Sequence, residues 1–265
     1  MTWLQVIVLA IVQGLTEFLP ISSSGHLVLV PSAAGWADQG LAFDVAVHFG
    51  SLIAVCVFFF DDIVAMIRGG FSLARLDAST PESRIALAIG IGTVPAAVAG
   101  LTLAGWIEAN LRDPSVIVMT LSGYAVLMLL ADRYGRRDRN VSDVGLRDAI
   151  TIGCAQALAL IPGTSRSGIT ITAGRLLGFD RRDAARFSFL LSVPVILLAT
   201  VYEGFKLVTG TEPVAWGQIA VAVVVSAIVA YLSIDFFMRF VSRIGLLPFA
   251  VYRLVLAGII LYVLV

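Results

Sequence analysis

Charge is scarce in this chain. Of 265 residues only 14% are charged, while 59% are hydrophobic, and the mean hydropathy is +0.96. That balance excludes an ordinary soluble domain and predicts an all-α polytopic membrane protein. Net charge is lacking too: 18 basic and 18 acidic residues cancel, so no global field draws the chain to nucleic acid. Cysteine is nearly absent. Cys56 and Cys154 lie in apolar runs and read as small buried hydrophobes, with no disulfide and no zinc site expected. Met1-Thr2-Trp3 lacks the basic start of a signal peptide, so the first apolar stretch is expected to be retained.

What is abundant is apolar sequence of spanning length. Runs at 43–60, 84–106, 115–131, 184–204, 214–236 and 247–265 each approach the ~20 residues that cross a bilayer. Stretches at 3–18, 23–35, 148–161 and 168–178 are shorter. They form two pairs, each flanking a polar string, and each pair reads as a re-entrant helix-loop-helix. The expected fold is six transmembrane helices plus two re-entrant pairs.

The charges sort the loops. Arg68, Arg75, Arg84, Arg133, Arg136, Arg137, Arg139, Arg147, Arg175, Arg181, Arg182, Arg186, Arg239 and Arg243 fall on one side, against Arg112 and Lys206 on the other. That asymmetry puts the Arg-rich side in the cytoplasm and both termini outside. The Arg-rich stretch 132–147 reads as a solvated cytoplasmic loop between two halves. An internal echo supports the division: Pro20-Ile-Ser-Ser-Ser-Gly25 echoes Pro162-Gly-Thr-Ser-Arg-Ser-Gly168, and His48-Phe-Gly-Ser-Leu-Ile-Ala-Val55 echoes Arg186-Phe-Ser-Phe-Leu-Leu-Ser-Val193. The chain then reads as one membrane domain, 1–265, of two inverted pseudo-repeats, 1–140 and 141–265. Such repeats with broken helices place a site at their interface, near the midplane.

The polar strings supply the chemistry. Gln13 and Glu17 stand at i and i+4, on one helix face. Together they can hold a hard divalent cation through oxygen, or Glu17 can be a buried carboxyl bonded to serines. Ser22, Ser23, Ser24 and Gly25 open a helix, either as simple caps or as an anion site built from free N–H groups. His26 follows, near the face of Ser23. Thr164, Ser165, Arg166, Ser167 and Gly168 make a second helix start with a guanidinium attached. Arg166 fits phosphate through its fork, or pairs with Glu17 as a structural bridge. Asp44 and His48, at the head of a span, carry less signal. Tyr252-Arg253 in the last span reads as a packing or headgroup-level contact. The set describes a pocket for a phosphate ester or anhydride reached from within the membrane.

Gln13, Glu17 and Ser22 through His26, then Pro162 through Gly168, then Pro248-Phe249-Ala-Val-Tyr252-Arg253, resemble the undecaprenyl-diphosphate phosphatase family, also called bacitracin-resistance proteins. The resemblance runs over essentially the whole chain. It implies an enzyme of the bacterial cytoplasmic membrane that removes one phosphate from undecaprenyl diphosphate, or from shorter polyprenyl diphosphates. The product is the lipid carrier for peptidoglycan and envelope polysaccharides. It also implies an outward-facing site, a divalent cation (Mg2+ or Ca2+) and a homodimer. The family's roles fall on Glu17 as metal-associated carboxylate, Ser23 and His26 as catalytic groups, and Ser165 and Arg166 as diphosphate binders. Position 13 is uncharged, leaving one carboxylate where some relatives have two. The nucleophile stays open between water, Ser23 and His26. The rival reading is a transporter or flippase of a phosphorylated lipid or small anion, followed by an anion channel.

Overall fold

The computed structural model describes residues 1–111, 113–209 and 215–264; Arg112, counted above among the loop charges, lies outside them. Among the described residues every regular element is a helix. α1 (Trp3–Thr16) and α2 (Ser23–Ala34) come first, then α3 (Leu41–Phe58), α4 (Phe60–Ala74), α5 (Pro81–Asn110) and α6 (Pro114–Tyr134). α7 (Leu146–Ala157) and α8 (Arg166–Leu176) repeat the short pair, followed by α9 (Arg181–Thr209), α10 (Trp216–Ile244) and α11 (Leu247–Leu264).

Local chemistry sets these boundaries. Thr2 caps α1 in a reciprocal box with Gln5. Thr80 and Asp113 cap α5 and α6, each with proline at the first helical position, where the missing N–H costs nothing. Gly35 ends α2 in the left-handed conformation.

α5, α6, α9 and α10 are long and apolar enough to cross a membrane. They carry the runs 84–106, 115–131 and 184–204, and the run 214–236 from Trp216 on. α3 carries the run 43–60 up to Phe58 and, with α4, makes a fifth candidate span bent by 87° around Phe59. α11 is a shorter apolar helix. Leu101, Met119, Val201 and Leu232 stay more than half exposed, a surface that lipid covers and water would not tolerate. This is a multi-pass membrane protein.

α1, at 14 residues, is about 21 Å long, short of a ~30 Å hydrocarbon core. Its exposed stripe is Trp3, Ile7, Ile11 and Leu15; its buried face carries Val6, Leu9 and Gln13, with Glu17 just past its end. That face packs on α10 through Gly14, where a Cβ would stand 2.8 Å from the Ser226 carbonyl oxygen. In the second half α7 packs on α5, with Gly153 set against Gly92 in the same close fashion. Each short pair therefore leans on a long helix from the other half.

Two expectations need correcting. The stretch 132–147 is not simply a solvated loop. Val141 and Val144 are buried, and Arg139 pairs with Asp148 and donates to the Leu177 and Asp143 carbonyls. The fully buried Arg175 donates to the Arg136 and Gly135 carbonyls, and Arg181 grips Asp132 through two bonds of 2.7 and 2.8 Å. Arginines counted as topology signals thus also dock the connection onto the turn between α8 and α9. Cys56 and Cys154 were expected to be buried, but Cys154 is exposed and Cys56 only half-buried. In a membrane protein an apolar run is hidden by lipid as readily as by protein.

Candidate active site

The two polar strings have the same backbone shape. Ser22 precedes α2 at φ 76°, ψ 92°, and Ser165 precedes α8 at φ 70°, ψ 112°. Among the described residues only one other non-glycine, Leu76, has positive φ. Each of these serines costs on the order of 1–3 kcal/mol of backbone strain, which surrounding structure must over-determine. The side chains match as well. Ser22 Oγ meets Ser24 Oγ at 3.2 Å, and Ser165 Oγ meets Ser167 Oγ at 3.4 Å. The capping differs. Ser165 Oγ accepts from the Gly168 N–H, whereas Ser22 makes no side-chain cap for α2. The first turn of α2 therefore keeps donors available to an anion.

The strings meet at Glu17. Its Oε1 accepts from Arg166 Nη2 at 3.0 Å. Its Oε2 accepts from Ser23 Oγ at 2.8 Å and from Gln13 Nε2 at 3.0 Å, and lies 3.8 Å from His48 Nε2. Ser167 Oγ adds a second link, donating to the Leu19 carbonyl at 3.0 Å. Arg166 is held from behind by the Ser188 carbonyl, with its guanidinium 5.6 Å from the Phe18 ring centroid. Glu17 is 7% exposed and the Arg166 side chain 12%, so the pair is nearly withdrawn from solvent.

His26 belongs to a different bond set from Ser23. Its Nδ1 lies 2.7 Å from the Ser22 carbonyl oxygen, which can only accept, so Nδ1 carries the hydrogen. Its Nε2 lone pair faces the Tyr252 hydroxyl at 2.6 Å. The hydroxyl of Ser23 points to Glu17 instead. Of the other sequence candidates, Gly25 and Thr164 are buried and Ser24 is exposed. Thr164 Oγ1 is buried without a hydrogen-bond partner.

A divalent cation was expected at Glu17 and Gln13. Among the described residues no group of three or more His, Cys, Asp or Glu side chains could hold one. The oxygen donors nonetheless fit a hard ion. Gln13 is fully buried and its Oε1 has no hydrogen-bond partner, beside the Glu17 carboxylate. Two protein oxygens of this kind leave most of a coordination shell to substrate and water.

Residues 6–259, a span that takes in both strings, match the family described as Bacitracin resistance protein BacA. The chain belongs to that family. Its BacA relatives align nearly end to end. An undecaprenyl-diphosphatase of Hahella chejuensis is 52% identical over 265 residues, covering 99% of this chain and 98% of the relative. Undecaprenyl-diphosphatase 2 of Stutzerimonas stutzeri is 52% identical, with 98% of each covered. An undecaprenyl-diphosphatase of Alcanivorax borkumensis is 49% identical, with 99% of each covered.

Several site residues of this BacA member escaped the sequence reading. His48 was expected to matter little, yet it approaches Glu17. Tyr252-Arg253, read as packing or a headgroup contact, reaches the site from α11: Tyr252 to His26, and Arg253 to the Gly163 carbonyl at 3.0 Å. Thr120 of α6 donates to the Pro162 carbonyl at 2.7 Å and so holds the second loop. One signal was available. His48 is one of only two histidines in the chain, and an apolar run rarely spends one without a polar partner.

Proposed function

We propose that this protein hydrolyses undecaprenyl diphosphate, and shorter polyprenyl diphosphates, to the monophosphate and inorganic phosphate. The observation that carries the reading is the convergence of Ser23 from one loop and Arg166 from the other on the buried Glu17 carboxylate. An ionisable group buried in a multi-pass membrane protein is a functional candidate by default. The polyprenyl tail stays in lipid while the diphosphate enters between the loops.

Phosphoryl transfer is catalysed mainly by position and charge. Arg166 offers a planar fork to the phosphate oxygens, exchanging or sharing its bond to Glu17. The uncapped first turn of α2 offers N–H groups to the same anion. Ser22, Ser24 and Gly25 shape that turn; Thr164, Ser165, Ser167 and Gly168 shape its counterpart. His26, with Nδ1 protonated, presents Nε2 as base or nucleophile. Glu17 and Gln13 would hold a divalent cation, Mg2+ or Ca2+. Bound there, it would neutralise charge on the diphosphate.

The topology that goes with this reading has α3, α5, α6, α9, α10 and α11 as six spans. α1–α2 and α7–α8 are the re-entrant pairs of an inverted repeat, 1–140 and 141–265, within one membrane domain. The match between Ser22 and Ser165 in backbone and hydrogen bonding supports the repeat. The Arg asymmetry supports a site and termini on the outer face of the bacterial cytoplasmic membrane. A homodimer is the expected working unit.

Purified protein in detergent, given farnesyl or undecaprenyl diphosphate, should release phosphate, and EDTA should stop the release. Absence of phosphate release, with lipid translocation in proteoliposomes, would replace the enzyme with a flippase.

A further inference from the structure

Tyr252 lies on the lipid-facing side of α11, among the exposed Val251, Leu254 and Val255. A tyrosine on such a face ordinarily turns its hydroxyl to interfacial water. This one turns it inward, 2.6 Å from His26 Nε2. The two rings are parallel to within 8°, with centroids 5.6 Å apart. The next residue fixes where Tyr252 stands. Arg253 is 1% exposed and donates to the Leu121 carbonyl of α6 and the Gly163 carbonyl of the second loop. α11 thus holds one loop through Arg253 and the imidazole of the other through Tyr252.

We propose that Tyr252 is the positioning residue for His26 in diphosphate hydrolysis; this rests on the hydrolytic reading above. The imidazole is gripped at both nitrogens. The Ser22 carbonyl accepts from Nδ1–H and fixes the tautomer, and the Tyr252 hydroxyl donates to the Nε2 lone pair and fixes the ring plane. With only the first bond the ring would still swing. The same hydroxyl can change role. When Nε2 gains a proton, the hydroxyl turns and Tyr252 Oη accepts from Nε2–H. The imidazole is then held in either protonation state, which a carbonyl or an ammonium in that place could not do.

Tyr252→Phe tests this, because it keeps the ring and removes only the hydroxyl. We expect kcat to fall about tenfold, the equivalent of one 1.36 kcal/mol interaction, with KM changed less than about twofold. Combined with His26→Ala it should cost nothing further, because Tyr252 acts through the histidine. Two histidines make 15N-histidine labelling readable: the His26 Nε2 signal should move toward that of an unbonded ring nitrogen in Tyr252→Phe. Wild-type kcat in Tyr252→Phe, or losses that add in the double variant, would overturn the proposal while leaving the hydrolase standing. No phosphate release from polyprenyl diphosphate by the wild-type protein would overturn both.

Discussion

Glu17 and Arg166, 149 residues apart in sequence, are joined by a 3.0 Å hydrogen bond that ties the first polar loop to the second. A buried ion pair is weak support for stability, since desolvation offsets much of its attraction. In the proposed reaction its value is a guanidinium placed and oriented before substrate arrives. Arg166→Lys keeps the charge and loses the fork. Turnover of polyprenyl diphosphate should drop about 100- to 1000-fold, the range for losing one transition-state donor, while thermal unfolding in detergent changes little. A Lys variant with near-normal turnover would reduce Arg166 to a counter-ion.

Glu17 and Gln13 are expected to differ in weight at the cation. Glu17→Gln should abolish turnover, and excess Mg2+ or Ca2+ should not restore it. Gln13→Glu should stay active and reach half-maximal rate at lower cation concentration, since a second carboxylate favours a hard ion. A cation titration of the two variants checks both points. An unchanged requirement in Gln13→Glu would put position 13 out of the ion's reach.

His48 stands 3.8 Å from Glu17 with more than a third of its side chain exposed. Contacts so placed are worth roughly 0.2–1 kcal/mol. His48→Ala should therefore lower kcat/KM only about two- to fivefold, well short of Arg166→Lys. Steady-state kinetics decides this, and a loss as large as that of Arg166→Lys would move His48 to the centre of the site.

Both loops and most of their residues were legible because polarity inside an apolar chain is expensive, so every Ser, Glu and Arg there stands out. The six apolar runs were legible for the complementary reason. Tyr252, Thr120 and Arg253 were not. Their roles depend on which carbonyl or ring nitrogen the fold brings within 3 Å or so, and no spacing encodes that. α4 was missed because Asp61 and Asp62 end the apolar run, while the helix continues beyond an 87° bend. The docking of 132–147 was missed because an arginine held by backbone carbonyls reads in sequence like a solvated one.

Orientation can be read with thiol reagents once the exposed native Cys154, and Cys56, are replaced by alanine. A cysteine at Asp38 should react with an impermeant reagent in intact cells. One at Arg137 should react only after the cytoplasmic face is opened. The reverse pattern would turn the site toward the cytoplasm.

The most direct measurement is the product balance on undecaprenyl diphosphate, comparing wild type with Glu17→Gln by mass spectrometry and phosphate assay. The wild-type protein should give undecaprenyl monophosphate and inorganic phosphate in equal amounts, and Glu17→Gln should give neither. Unchanged substrate with the wild-type protein, or equal turnover by both proteins, would contradict a hydrolase centred on Glu17 and Arg166.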